Sequence, residues 1–63
     1  MYYIEAWRDS ELCAVLEHST VKGVLDERNN IAKKGSYRYA FFDGKERVSR
    51  KHLQRMRKAE IRA

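Results

Sequence analysis

The chain has no proline, one cysteine and three glycines among 63 residues. A disulfide framework needs paired cysteines, and Cys13 has none to pair with. The longest apolar run, Leu12 to Leu16, falls far short of the about 20 residues that span a bilayer. Gly23, Gly35 and Gly44 stand far apart, so there is no glycine-rich phosphate loop. Acidic Glu5 and Asp9 lie where an export signal would place basic and then apolar residues. These absences, with Met1 at the start, lead to the expectation of a complete short product of a reducing cytoplasm.

Catalytic and metal chemistry find little material. Cys13, His18 and His52 cannot supply the four closely spaced ligands of a structural zinc site. Cys13, inside an apolar run, is expected to be inert core. His52 is expected to pack at the apolar edge of a helix, and Asp26-Glu27 to face solvent. No enzymatic activity, metal or cofactor is therefore expected.

What is present describes a folded domain. Apolar residues make up 43% and aromatics 11%, too much for a disordered tail. A chain this short buries only about 60% of its unfolded surface, so most large apolar side chains are needed for the core. The expected core is Tyr2, Ile4, Trp7, Leu12, Val15, Leu16, Val21, Val24, Leu25, Ile31, Tyr39, Phe41, Val48, Leu53 and Met56. Little is left to wall a deep pocket, and an extended surface site is expected instead.

Local patterns give an order of elements. Residues 2–8 are aromatic and β-branched, which reads as a strand. Asp9-Ser10 supplies turn chemistry, and residues 12–16 are expected to pair back rather than form a short helix, because the nearest partner costs least loop closure. Residues 20–34 carry Val21, Val24, Leu25 and Ile31 at helical spacing, with Ser19 or Thr20 as cap and Gly35 placed for a left-handed stop. Alternation from Tyr37 to Phe42 then meets Asp43-Gly44, a strong hairpin signal. With those two residues as the loop, Phe42 pairs with Lys45 and Tyr39 with Val48. Tyr37, Tyr39 and Phe41 then share a core face, while Arg38, Phe42 and Arg47 share the other. Ser49 caps a final helix over 50–62. The reading is a single small basic α+β domain over residues 1–63, in the order ββαββα, with two antiparallel hairpins and a basic amphipathic C-terminal helix.

Charge is distributed unevenly. Residues 1–44 hold six basic and seven acidic residues, while residues 45–63 hold eight basic residues against Glu46 and Glu60. The whole +5 excess therefore lies in the last segment. At about 100° per residue, Lys51, Arg55, Lys58 and Arg62 form one stripe. Arg50 and Arg57 are placed beside it, Arg47 lies on the preceding strand, and Ile61 projects among the arginines. Like charges at i,i+4 repel, so the pattern costs helix stability. Arginine offers a flat fork of donors matched to phosphate. The expected function is nucleic-acid binding by a small regulatory protein whose basic helix contacts DNA or RNA backbone, with Arg38 and Phe42 as stacking candidates. The alternative is a small interaction protein or inhibitor docking the same helix on an acidic protein surface. Membrane binding is not expected, since the helix's apolar arc is thin. A homodimer is a possible assembly, because hairpins leave edges.

Overall fold

Alternating apolar residues at the start of the chain build a sheet, and two amphipathic helices close one side of it. The computed structural model describes residues 1–62, apart from the side chain of Arg62. In chain order the elements are β1 (Tyr2–Arg8), β2 (Glu11–His18), α1 (Val21–Ala32), β3 (Arg38–Asp43), β4 (Glu46–Val48) and α2 (Arg50–Arg62). They form an α+β domain with one antiparallel sheet in the order β2-β1-β3-β4. The expected ββαββα order is the observed one.

Both hairpins have two-residue loops. Asp9 and Ser10 take φ values of 50° and 66°, the double positive sign of a type I′ turn. Neither residue is glycine, so the turn carries a steric cost. In the second hairpin the loop is Gly44-Lys45 rather than Asp43-Gly44. Gly44 has φ of 63° and Lys45 is not among the positive-φ residues, the sign pattern of a type II′ turn. The observed pairs are Phe41 with Val48, Phe42 with Arg47 and Asp43 with Glu46. The shift has a tertiary cause. Asp43 is held in β3 by pairing with Tyr2, and the Gly44 N–H donates to the Met1 carbonyl at 2.9 Å. A slip of two residues preserves faces, so the expected division of side chains between them stands.

One face of the sheet is covered and the other is open. Ile4, Ala6 and Phe41 join Val21, Val24, Ile31 and Leu53 in the buried core. Helix α1 packs on β1 and β2, and α2 packs on α1. The Thr20 hydroxyl caps α1 by accepting from the Gly23 N–H at 3.0 Å. Helix α1 ends at Ala32 without a left-handed residue: Lys33 is right-handed helical, and the Lys34 N–H donates to Ile31. Gly35 lies beyond this stop at φ 159°, which is not the left-handed helical conformation expected of it. It passes close under the Arg8 guanidinium instead.

Three expected core residues lie elsewhere. Trp7, Leu12 and Val15 sit on the open face, with Leu12 43% and Val15 51% exposed. In a strand of period two, Trp7 cannot share a face with Ile4, nor Val15 with Leu16. Cys13 is exposed rather than buried. It is the extra residue of a β-bulge, since Ala6 pairs with Ala14 and Trp7 with Leu12.

Candidate functional site

The C-terminal helix begins at a serine cap. The Ser49 hydroxyl accepts from the His52 N–H at 3.0 Å, and the Ser49 carbonyl accepts from Leu53. Leu53 is fully buried and Met56 half-buried, so this pair fixes which side of α2 faces the domain. Beyond them, Lys58, Ala59, Glu60 and Ile61 are exposed, and the last turns overhang the core.

With that orientation, Arg50, Lys51, Arg55 and Lys58 are exposed, and none of them is in an ion pair among the described residues. Arg57 is different. It is half-buried next to the Leu53 side of the helix and pairs with Glu60 at 3.5 Å, so its charge is partly spent. The Arg62 side chain lies outside the described residues. His52 is exposed, contrary to the packing role expected of it. The first turn of α2 contains no acidic residue and opens with Arg50 and Lys51. Cations at the positive end of a helix dipole destabilise it, while an anion placed there is favoured.

Arg47 on β4 lies apart from the stripe, yet continuous with the start of the helix. Arg47, Val48, Ser49 and Arg50 line one shallow depression, of about 400 Å³, together with β3. The same Arg47 side chain belongs to the open face of the sheet, where it also lines a second, wider groove of about 730 Å³. Pairing places Tyr3 between Glu17 and Phe42, and Phe42 next to Arg47; Trp7 lies between Leu12 and Arg38. Arg38 and Phe42 are thus brought together with Arg47, as their shared parity implied.

Sequence reading missed the other members of this face. Tyr3, Glu5 and Trp7 alternate against Ile4 and Ala6 along β1, which was a sufficient signal. It was obscured because both faces of β1 carry aromatic residues. Two further arginines are occupied by rings: Arg8, which with Tyr37 also lines the wider groove, lies 4.5 Å from the Tyr37 centroid, and Arg28 on α1 lies 5.3 Å from that of Tyr39. Among the described residues, no three His, Cys, Asp or Glu side chains converge on a possible metal position. No helix is long and apolar enough to cross a membrane. Compared with protein-family models, curated proteins and solved structures, the chain matches none.

Proposed function

We propose that this protein is a small regulatory protein that binds nucleic acid, with α2 laid along the phosphate backbone. The observation that carries the reading is the set of four exposed cations, Arg50, Lys51, Arg55 and Lys58, on one short helix, none of them ion-paired among the described residues. Two of them stand at the end of the helix where positive charge is least stable. Lys51, Arg55 and Lys58 repel one another at i,i+4 and i,i+3 spacing. Phosphates relieve both penalties at once, because each contact neutralises a cation and releases condensed counterions. Arg47 extends the basic path from the helix onto the sheet.

The test is the salt dependence of binding to DNA and RNA of random sequence. Four to six neutralised phosphates on duplex DNA give a slope of log K against log salt of about −3.6 to −5.4. No binding to DNA or RNA at low salt would end this reading. A protein partner recovered from lysate after nuclease treatment would instead transfer α2 to an acidic protein surface.

A further inference from the structure

We propose that the open face of the sheet seats unpaired bases of a single strand, stacked on Trp7 and Phe42, with Glu5 selecting guanine over uracil. This inference rests on the nucleic-acid reading and adds to it the form of nucleic acid and a base preference.

The face is built for flat, partly polar groups. Tyr3, Trp7 and Phe42 are all half-buried on a surface that no helix covers. Every base has a π-face, so aromatic side chains on an open sheet accept bases of any kind. Ala40 is 8% exposed, yet it is absent from the core cluster, because it lies on the open side as the floor of the groove. Its small side chain leaves the depression between the Trp7–Arg38 row and the Tyr3–Phe42–Arg47 row. A larger residue at position 40 would fill it.

The groove lining sets Arg8, Arg38 and Arg47 against Glu5 and Asp9, a positive balance that favours a polyanion as the occupant. Arg38 and Arg47 flank the floor, exposed and in no ion pair among the described residues. Through Arg47 the groove joins the depression that leads to Arg50 and the basic helix. A strand whose backbone follows α2 thereby reaches the groove without crossing an acidic surface at the junction.

Glu5 gives the face its selectivity. The Trp7 indole N–H donates to Glu5 Oε1 at 3.2 Å, which steadies the ring. The other carboxylate oxygen has no partner among the described residues. A carboxylate accepts hydrogen bonds and donates none. Guanine presents two adjacent donors, N1–H and the amino group, on its pairing edge. Uracil sets carbonyl oxygens on both sides of its one donor, and these are repelled by a carboxylate. In a duplex that edge is already paired, so the contact requires a single strand.

Trp7 is the only tryptophan and reports on its own site. The intact protein would be titrated with unlabelled short single strands of uridine, the same strands with interspersed guanosine, and a duplex. Trp7 emission would be followed alongside an independent binding measurement by calorimetry. We expect quenching by single strands and none by duplex, with the guanosine-containing strand about tenfold tighter than oligouridine, in line with one good base contact. Phe42→Ala should weaken single-strand binding by about tenfold, the loss of one stacked base. Glu5→Gln, folded by circular dichroism, should abolish the guanosine preference while retaining binding. Calorimetric binding without any change in Trp7 emission overturns the proposal but leaves the helix reading intact. Equal affinity for the two single strands overturns the role of Glu5. Binding to no nucleic acid removes both readings. A Trp7 emission that changes with protein concentration alone assigns the face to a second copy of the chain.

Discussion

The imidazole of His18 lies against the backbone of α1 at Gly23, where an added Cβ would stand 2.9 Å from Nδ1. On its other side, His18 Nε2 is 3.0 Å from Glu27 Oε2, so the ring is clamped between one helix turn and the next. Its Cβ and Cγ are equally close to the same position, at 3.0 Å. The ring therefore cannot yield by a small swing of its far end. Gly23→Ala should consequently destabilise the fold, although alanine in an exposed helix interior gains about 1 kcal/mol over glycine. Chemical denaturation of Gly23→Ala alone and combined with His18→Ala tests this. In the double variant the alanine should become favourable again, giving a strong coupling between the two sites.

The Asp9-Ser10 turn offers the opposite case. Ser10 holds a φ of 66° that suits glycine, and a left-handed conformation costs an L-residue roughly 1–2 kcal/mol. Ser10→Gly should stabilise the domain by about 1 kcal/mol, less the entropy that glycine gives the unfolded chain. Thermal melts should move upward by about 4–8 °C per kcal/mol for a domain of this size.

Tyr39 tests an unpaired polar atom. Its hydroxyl is buried and has no hydrogen-bond partner among the described residues, while its ring stacks with Phe41 at 6.5 Å between centroids. Tyr39→Phe keeps the stacking and removes the stranded group. An unsatisfied buried polar group costs about 1–3 kcal/mol, so the variant should be at least as stable as the parent. A loss of stability in denaturant titration would mean that the hydroxyl is satisfied in solution.

The basic stripe and the core should separate cleanly. Replacing Lys51, Arg55 and Lys58 together with alanine removes mutual repulsion on an exposed face, and should leave stability unchanged or raise it by a few tenths of a kcal/mol. If each contacts one phosphate, the salt slope on duplex DNA should become shallower by about 2.7. Leu53→Ala should do the reverse. Leu53 is fully buried, and such truncations cost about 2–5 kcal/mol. Melts and salt titrations on both variants in one buffer check the pair of expectations.

Much of this architecture was legible in local sequence, and the exceptions share a cause. The helix over 50–62 was bounded by Ser49 and by apolar spacing, both local signals, and it is observed at Arg50–Arg62. The second hairpin was recognised from Asp43-Gly44, but its loop is Gly44-Lys45 because a third strand competes for Asp43. Turn chemistry permits either loop, so the choice rests on a contact distant in sequence. The same holds for Trp7, Leu12 and Val15. Their apolar character suggested core, yet burial depends on which face the helices cover, and both helices cover one side. The apolar neighbours of Cys13 suggest the interior, but it shares the open-face parity of Val15, and the bulge at Cys13 carries Leu12 onto that face as well. At the candidate site, the identity of the cations was evident from sequence. The half-buried state of Arg57 and its pairing with Glu60 depended on how Leu53 docks.

The overhang of α2 beyond Met56 separates two properties that small domains usually trade against each other. Lys58 through Ile61 are exposed, so replacing them alters the outer surface while the Leu53 anchor stays as it is. If α2 grips an anionic partner as proposed, that grip and resistance to unfolding can then drift independently under mutation. Under the proposed function, a lineage can strengthen, relax or redirect the backbone contact by substitutions on the projecting turns, while the buried core between the sheet and α1 remains under its own constraint. For an engineer the same division makes the distal half of α2 an exchangeable cassette: its charge can be graded in steps, and each step can be read without correcting for a change in fold.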